Sequence, residues 1–290
     1  MKIVKVIGGV GNQMFQYAFY LSLKKKYSNE IVKLDTSLFN SYKLHNGFEL
    51  ERIFNIKADL ALPSEIKQLS WFVNNYKLQR IVRKMLPIRR TEYVEENDFA
   101  YASEVWTSQD KYYEGYWQNV NYFEDVEAEV QSAFTFKTKL VGENEVLMNK
   151  ILTAELPISI HVRRGDYINH KIFGGICDLD YYKSAINYIM EKYSSPQFYL
   201  FSDDIKWCEE NLLPLLTGQP LTFVDWNIGY DSFIDMQLMS CCKINIIANS
   251  SFSWWAAWLN NSANKYIIAP RIWAKTPYGQ DIQLKQWHLI

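Results

Sequence analysis

The second half of the chain alternates short, continuous apolar runs with longer amphipathic segments. Continuous apolar runs predict strands buried on both faces, and strands separated by helical segments of about ten to fifteen residues indicate a parallel sheet covered by helices. The pattern therefore predicts an α/β domain from about Pro157 onward. Its predicted strands are 158–162, 197–201, 221–224, 243–248 and 265–269, and its predicted helices are 180–193, 204–212, 231–240 and 252–259.

The N-terminal half opens with the same kind of unit. A β-branched strand over 2–7 leads into a glycine turn, and the near-helical apolar spacing that follows predicts a helix from Asn12. A second strand is predicted over 30–34. Farther along, the pattern is less regular and predicts helices over 64–85 and 123–134.

The change from irregular to regular alternation marks a domain boundary between Lys137 and Leu156. A chain of 290 residues has the length of two medium-sized domains. The sequence thus predicts an N-terminal α/β domain over 1–150 and a C-terminal one over 151–290, whose tail can cross back to the first.

Composition narrows the range of functions. The formal net charge is -1 and charged residues make up 22%, so the chain has no overall attraction to nucleic acid or anionic membranes, and any basic site must be local. Aromatic residues make up 16%, which suits the stacking of sugar rings. The four cysteines lack the paired spacing of a zinc site, and the four histidines are scattered. We expect a reduced protein without a metal centre.

Two adjacent arginines follow the strand predicted at 158–162, within the segment His161-Val162-Arg163-Arg164-Gly165-Asp166-Tyr167. In open α/β sheets, ligands bind outside the carboxyl ends of strands. The forks of Arg163 and Arg164 match phosphate oxygens two at a time, so the pair predicts a site for a diphosphate. The alternative is a solvated arginine pair, or an ion pair with Asp166 that closes a turn.

Two more polar clusters follow strands of the same predicted sheet. Asp203 and Asp204 stand where a carboxylate can accept two N–H bonds from the Watson–Crick edge of guanine, and either can also cap the next helix. Asn249 to Ser253 precede another helix, whose N-terminus favours anions. The carboxyl ends of parallel strands share one edge, so the sequence predicts that all three clusters converge on one ligand site.

The glycine loop supports a competing interpretation. Gly9-Val10-Gly11-Asn12-Gln13-Met14 half-matches the dinucleotide fingerprint, and Asp35 ends the second strand, where a ribose-binding acid would stand. Met14 replaces the third glycine and weakens the match. The loop can instead bring backbone N–H groups and the Asn12 amide to a ligand, or serve as a tight turn alone.

Taken together, these motifs resemble the bacterial α1,2-fucosyltransferases of glycosyltransferase family eleven. The resemblance rests on GGVGNQMFQYAF at 8–19, EGYWQ at 114–118, HVRRGDY at 161–167, FSDD at 201–204 and NSSFSWWAAWLN at 249–260. It spans nearly the whole chain. It implies a GT-B type fold, in which two Rossmann-like domains with parallel sheets face a cleft, with GDP-β-L-fucose as donor, inversion at the anomeric carbon and no cofactor or metal requirement.

The resemblance also implies residue roles. In related fucosyltransferases the first arginine of the H-x-R-R pattern contacts the β-phosphate, a role that maps onto Arg163, and the guanine-binding carboxylate maps onto Asp203 or Asp204. Fixed cations at the β-phosphate stabilise the charge that builds as GDP departs. The implied nucleotide-binding residues are Gly11, His161, Arg163, Arg164, Asp203, Asp204, Asn249, Ser250, Ser251, Phe252 and Ser253.

The acceptor hydroxyl raises the question of a general base. The candidate catalytic residues are Arg163, Asn12 and Asp166, the carboxylate nearest to the arginines, but a carboxylate packed against two arginines makes a poor base. Glu114 and Asp178 remain alternatives.

Asp178-Leu179-Asp180 resembles the DxD metal clamp of one class of glycosyltransferases. Because Asp180 directly precedes an amphipathic helix, an N-cap is the favoured interpretation of this motif.

The N-terminal domain is expected to hold the acceptor, with Tyr116, Trp117 and Gln118 as sugar contacts. The family implies a terminal galactoside on a surface oligosaccharide or lipid-linked glycan, and no nucleic acid. No apolar stretch reaches the ~18 residues of a membrane span, and the N-terminal apolar run is too short for a secretory signal. We expect a cytoplasmic protein with, at most, peripheral contact at the inner face of the membrane.

Two functions from other classes remain open. An NAD-dependent oxidoreductase would use the N-terminal glycine loop, and NADH rather than GDP would then raise its melting temperature. A non-catalytic sugar-nucleotide-binding protein would bind the donor without single-turnover transfer.

Overall fold

The computed structural model describes residues 1–42, 44–96, 99–276 and 281–290. The chain divides into two compact units, Met1–Thr138 (unit 1) and Lys139–Ile290 (unit 2). The boundary expected at 150/151 falls inside the helix Glu143–Thr153, which lies wholly in unit 2.

Unit 1 is built on a parallel sheet with the strand order β2-β1-β4-β3. Helix α1 follows β1 and is buried on most of its surface, which explains its long run of apolar and aromatic residues. The strands are β1 Lys2–Lys5, β2 Val32–Asp35, β3 Glu92–Val94 and β4 Lys111–Glu114. The helices are α1 Val10–Lys26, α2 Leu50–Ile53, α3 Pro63–Leu69, α4 Tyr76–Met85 and α5 Glu127–Ala133.

The helices predicted for unit 1 need three corrections. Helix α1 begins at Val10 rather than Asn12, because Gly9 is its N-cap. The single helix predicted over 64–85 is two helices, because Ser70 is extended and Asn75 starts a new helix by accepting a bond from the Leu78 N–H at 3.1 Å. The helix predicted over 123–134 is α-helical only from Glu127, after two turns of 3₁₀-helix.

Unit 2 is built on a parallel sheet with the order β10-β9-β8-β5-β6-β7, which confirms the α/β prediction. The five predicted strands and the four predicted helices are present, and no helix end differs from its prediction by more than two residues. The strands are β5 Pro157–Val162, β6 Gln197–Ser202, β7 Leu221–Val224, β8 Ile244–Ile246, β9 Tyr266–Ala269 and β10 His288–Leu289. The helices are α6 Glu143–Thr153, α7 Leu179–Lys192, α8 Ile205–Asn211, α9 Phe233–Ser240 and α10 Ser251–Trp258.

The end of the chain stays with unit 2. Strand β10 pairs with β9, and the indole N–H of Trp254 donates to the carbonyl of Ile282 at 2.7 Å. The C-terminal tail that was expected to be able to cross back is therefore fixed to its own unit. Among the described residues, no helix has the length and apolar character needed to cross a membrane.

Candidate active site

Three parallel strands bring the polar clusters of unit 2 to one edge of its sheet. Strand β5 lies between β8 and β6, with Ile158 opposite both Ile244 and Phe198. All residues of β5 are buried, which fits its central place. The segments that follow these strands therefore leave the sheet side by side, and the predicted convergence of strand ends is confirmed.

The Arg163 guanidinium is held between two carboxylates at this edge. Its Nη2 lies 2.8 Å from Asp166 Oδ1, and its Nη1 lies 2.9 Å from Asp203 Oδ2. The Arg163 side chain is still 33% exposed. A planar guanidinium can satisfy two carboxylates and keep a fixed orientation, which a lysine ammonium cannot do. The ion pair with Asp166 also closes the turn, as one of the sequence alternatives proposed.

Arg164 has different neighbours from Arg163. Its Nε lies 3.1 Å from Asp204 Oδ2, and its guanidinium carbon stands 4.2 Å from the centre of the Trp207 ring, within the range of a cation–π contact. Asp204 Oδ1 accepts from the Trp207 N–H at 3.2 Å, which confirms the expected N-cap role for one of the aspartate pair. Asp166 pairs with one arginine and not, as expected, with both.

Asp203 anchors the loop that carries the arginines. Its Oδ1 accepts from the backbone N–H of Arg164 at 2.8 Å, and its Oδ2 bonds Arg163. A Cβ atom on Gly165 would stand 2.8 Å from Asp203 Oδ2, closer than real Cβ contacts. The glycine is therefore required for this close approach of loop and carboxylate.

His161 lies on β5, two residues before Arg163, and its imidazole is buried and neutral. Burial lowers its pKa to about 4, although the Asp203 carboxylate acts in the opposite direction. Its ring centre lies 5.6 Å from that of Phe252. Its Nδ1 has no hydrogen-bond partner within the described protein. A neutral imidazole has one N–H donor and one nitrogen acceptor, and it adds no positive charge to the site.

Two side chains at the start of α10, one just before the helix and one in its first turn, bond the protein backbone. The buried Asn249 amide donates to two backbone carbonyls, at 3.1 and 3.0 Å. Ser253 is fully buried, and its hydroxyl bonds two backbone carbonyls, at 3.2 and 3.3 Å. The structure thus corrects the expectation that the Asn249 and Ser253 side chains contact the nucleotide, because both side chains are buried and the Asn249 amide nitrogen and the Ser253 hydroxyl bond backbone carbonyls of the protein.

Ser250 and Ser251 open helix α10. Ser250 is the N-cap, and its Oγ accepts from the Phe252 N–H at 3.3 Å. Ser250 also hydrogen-bonds the Tyr167 side chain, whose pKa burial raises to about 12. The end of the arginine loop is therefore tied to the start of α10. Ser251 is partly exposed there, beside N–H groups that favour an anion.

In unit 1, two buried glutamines of α1 hold the glycine loop. The Gln13 amide donates to the Gly8 carbonyl at 2.9 Å. Gln16 accepts from the Ile7 N–H at 3.0 Å and donates to the Gly115 carbonyl at 2.9 Å, so it joins the ends of the neighbouring strands β1 and β4. Neither glutamine was predicted as a site residue from the sequence. The available signal was a pair of amides at i and i+3 on an otherwise apolar helix.

Asn12 and Gln118 form a polar pair at the same edge of unit 1. Gln118 Nε2 donates to Asn12 Oδ1 at 2.6 Å. Gly8 has a φ of +93°, and a Cβ there would stand 2.7 Å from Asn12 Nδ2. The glycine is thus needed to place the Asn12 amide against the loop.

Trp117 belongs to the core of unit 1. It is 0% exposed, and its ring stacks on that of Phe19 with centres 4.3 Å apart. It therefore does not present its ring to an acceptor sugar, and that part of the sequence prediction is wrong. The neighbouring Tyr116 is 38% exposed.

Asp35 is unavailable for a ribose. It is buried, and it accepts hydrogen bonds from the Tyr112 hydroxyl at 2.7 Å and the Ser37 N–H at 2.9 Å. The carboxylate that was expected to bind a ribose thus stabilises the fold of unit 1 instead.

Both alternative bases have partners inside the protein. Glu114 bonds Lys5 Nζ at 2.6 Å and Arg83 Nη2 at 2.5 Å. Burial alone would raise the pKa of Glu114, but the two cations outweigh burial and lower it. Asp178 is the N-cap of α7 and accepts from the Tyr181 N–H at 3.0 Å, so the cap of this helix is Asp178 rather than Asp180. Across the described residues, no group of three or more His, Cys, Asp or Glu could hold a metal ion.

Comparison with known families shows to which family this chain belongs. The model of the family described as glycosyl transferase family 11 matches residues 1–290. The chain belongs to glycosyltransferase family 11. Family membership and the internal use of Asp35 together remove the support for an NAD-dependent oxidoreductase.

Relatives of this family 11 glycosyltransferase act on sugars. It is 32% identical over 280 residues to an α-1,2-colitosyltransferase of Escherichia coli, covering 93% of this chain and 91% of the relative. It is 35% identical over 304 residues to the Escherichia coli O-antigen biosynthesis glycosyltransferase WbnK, covering 97% of each. It is 23% identical to the mouse galactoside 2-α-L-fucosyltransferase Sec1, covering 92% of this chain and 66% of the relative.

Solved structures confirm the fold class. NodZ, an α-1,6-fucosyltransferase whose crystals were soaked with GDP-fucose, superposes on this glycosyltransferase with a TM-score of 0.53, at 14% identity, over 91% of this chain and 96% of NodZ. At this identity the likeness concerns the fold alone. The fold is of GT-B type, as predicted, with a parallel sheet in each unit.

Proposed function

We propose that this protein transfers L-fucose from GDP-β-L-fucose to the 2-hydroxyl of a terminal galactoside, with inversion at the anomeric carbon and without a metal ion. The observation that carries the proposal is the Arg163 guanidinium, fixed by two carboxylates where three parallel strands end. Membership of family 11 supplies the reaction class, and the named fucosyl- and colitosyltransferases supply the sugar class.

Arg163 is the proposed contact of the β-phosphate. As the bond to GDP breaks, negative charge grows on the β-phosphate and positive charge grows on the sugar ring. A guanidinium that is already oriented stabilises this charge without reorganising during the reaction. Its partners Asp166 and Asp203 hold the orientation, so Asp166 acts first as a positioning residue in this proposal.

The rest of the donor site follows the same edge. We assign the phosphate oxygens to Arg164, Ser251 and the N–H groups at the start of α10. The neutral imidazole of His161, which is 7% exposed, is also assigned to the nucleotide. Guanine is assigned to the Asp203/Asp204 pair, in which each carboxylate oxygen retains acceptor capacity beside its bond to the protein.

The acceptor is assigned to unit 1. Asn12, Gln118 and the exposed Tyr116 are the proposed contacts, at the edge where β1 and β4 end. Because WbnK is an O-antigen biosynthesis enzyme, we propose a glycan of that kind as acceptor, joined to its lipid carrier at the cytosolic face of the membrane.

An acceptor screen tests the proposal. The purified protein is given GDP-fucose or GDP-colitose with a panel of β-galactosides, and products are measured by mass spectrometry and the linkage by NMR. We expect a mass gain of one fucose and an α1,2 linkage. Transfer of colitose alone, or a linkage to another hydroxyl, would contradict the proposed donor or acceptor position, and no transfer would support a non-catalytic binding protein.

Activity should survive excess EDTA, because the basic residues at 163 and 164 supply the charge compensation at the diphosphate. The measurement is turnover of GDP-fucose after dialysis against the chelator. A loss of more than ~90%, at least ~1.4 kcal/mol of barrier, that manganese restores would show instead that a metal takes part.

Donor binding should favour guanine over other bases. Replacing Asp203 or Asp204 with alanine should raise the donor KM in at least one variant, because an unfilled hydrogen-bonding group in a buried site typically costs ~1–3 kcal/mol. Competition of ADP, UDP and GDP against the wild-type protein measures the preference directly. Equal competition by all three nucleotides would remove guanine recognition from this pair.

Replacing Gly165 with alanine should displace the Asp203 carboxylate and so misplace Arg163. Misplacement of a positioned group by about 1 Å can lower the rate by about 10²-fold, and the readout is kcat with GDP-fucose. The control is the double variant with Asp203→Ala, in which the clash is absent. If Gly165 acts through Asp203, the double variant should be no slower than Asp203→Ala alone, and additive losses would contradict this role.

A further inference from the structure

Helix α4 exposes an apolar stripe, and the side that it turns toward the protein carries the polar residues Gln79 and Arg83. Gln79 is 7% exposed and accepts from Lys5 Nζ at 2.9 Å, while Leu78, Ile81 and Met85 are 50%, 53% and 75% exposed. With 3.6 residues per turn, the three apolar residues form one stripe on the outer surface. A helix that packs only against its own protein would show the reverse pattern.

The apolar surface continues beyond the end of α4. Leu86 and Ile88 are 40% and 58% exposed. Trp71 is 37% exposed, and its indole N–H donates to the Pro87 carbonyl at 2.9 Å, so it lies beside the same turn. We call Trp71, Leu78, Ile81, Met85, Leu86 and Ile88 the α4 face.

Basic residues accompany the α4 face. Lys77, Arg80 and Lys84 are exposed and form a second stripe on α4, next to the apolar one. Between 66 and 91 the sequence contains no aspartate or glutamate, in a chain whose net charge is only -1. The lysines and arginines of this stretch are Lys67, Lys77, Arg80, Arg83, Lys84, Arg89 and Arg90.

We propose that the α4 face docks on a bilayer of anionic phospholipid. A helix with an apolar stripe, a basic flank and a tryptophan at its edge lies in the plane of the interface, with the stripe among the acyl chains and the cations among the headgroups. The positive charge beside the α4 face favours an anionic bilayer over a second copy of this chain as the partner. Two copies that met through this face would bring their basic stretches into repulsive contact. The proposal does not depend on the donor or acceptor assigned above.

Docking in this way has a consequence for the acceptor side of unit 1. Gln79, Arg80, Arg83 and Lys84 line a pocket of about 380 Å³ that also includes Tyr116. The helix that meets the bilayer is thus also a wall of this pocket. A glycan still joined to a membrane lipid through phosphate would reach the pocket without leaving the membrane surface, and the cations of the wall suit its phosphate groups.

Vesicle flotation tests the docking. The full chain is mixed with vesicles of phosphatidylglycerol and phosphatidylethanolamine, or of phosphatidylcholine alone. We expect binding to the anionic vesicles at least about tenfold tighter than to the zwitterionic ones, and weakened by salt. The variant Leu78→Gln, Ile81→Gln, Met85→Gln should lose at least about tenfold in binding to the anionic vesicles, and Lys77→Gln, Arg80→Gln, Lys84→Gln should remove the preference for anionic lipid.

The matched control changes exposed apolar residues of another helix. Val146 and Leu152 of α6 are 69% and 63% exposed, and Val146→Gln, Leu152→Gln should bind vesicles like the wild type. The α4 stripe variant should keep its melting temperature and its transfer to a small soluble acceptor. Equal binding to both vesicle types, unchanged binding by the stripe variant, or concentration-dependent dimers that the stripe variant abolishes in the absence of vesicle binding would each overturn the proposal.

Discussion

Replacing Arg163 with lysine should lower kcat by about 10²–10³, the cost of removing one preorganised donor from a charge-stabilising site. Lysine keeps the positive charge but loses the planar fork that joins Asp166 and Asp203 at 2.8 and 2.9 Å. The lysine ammonium would then not be held in one orientation, and it could not donate two parallel hydrogen bonds to the proposed β-phosphate. In the proposed mechanism this contact strengthens in the transition state, so kcat should fall more than KM rises.

Arg164→Lys is the matched control. Arg164 is held by Asp204 and the Trp207 ring, outside the clamp of Asp166 and Asp203, so its loss should affect turnover less. Both variants are compared by steady-state kinetics after a check of their melting temperatures. If the Arg163 variant folds normally and stays within about threefold of wild-type kcat, Arg163 is a general cation rather than the contact of the leaving group.

Unit 2 could be predicted from sequence because its strands are buried on both faces. Continuous apolar runs such as 158–162 have few alternatives to a central parallel strand, and the structure places β5 in the middle of its sheet. Strand β10 was missed because it contains two residues and depends on pairing with β9. A pair that short carries no pattern of its own.

The site was predicted less completely than the sheet. Residue types that bind phosphate also close turns and cap helices, since both tasks need hydroxyls, amides and carboxylates at the end of a strand. Asn249 and Ser253 are engaged inside the protein, whereas Ser251 is partly exposed, and sequence does not distinguish them. Trp117 was misassigned for a related reason, because a polar neighbourhood in sequence gives no measure of burial.

Helix α4 shows a different limit. Its amphipathic pattern was read as part of one long helix, but a pattern alone does not say which side faces the protein. In the structure, polar contacts fix which side of α4 faces the protein. Gln79 bonds Lys5 at the end of β1, and Arg83 pairs with Glu92 of β3 and Glu114 of β4. Such contacts depend on residues far apart in the chain and are set by the tertiary structure.

Replacing Glu114 with glutamine should destabilise the protein by about 3 kcal/mol, because it leaves the buried Lys5 ammonium without an ion-pair partner. Lys5 is 4% exposed, and burial already lowers its pKa. Arg83 keeps a second partner in Glu92, at 2.8 Å, so Lys5 is the residue left unpaired. The measurement is the urea midpoint of unfolding at pH 7.

Two further variants separate a charge effect from a general loss of packing. Lys5→Met added to Glu114→Gln removes the unpaired cation and should recover most of the loss, whereas Glu129→Gln, which breaks an exposed pair with Lys25, should leave the midpoint unchanged. The Glu114 pKa is lowered from 4.5, so its contribution is fully present above pH 4.5 and is lost as the pH falls through the lowered folded value. The gap between wild type and Glu114→Gln should therefore narrow in acid. A gap that is independent of pH, or a double variant less stable than Glu114→Gln, would show that Glu114 acts through shape rather than charge.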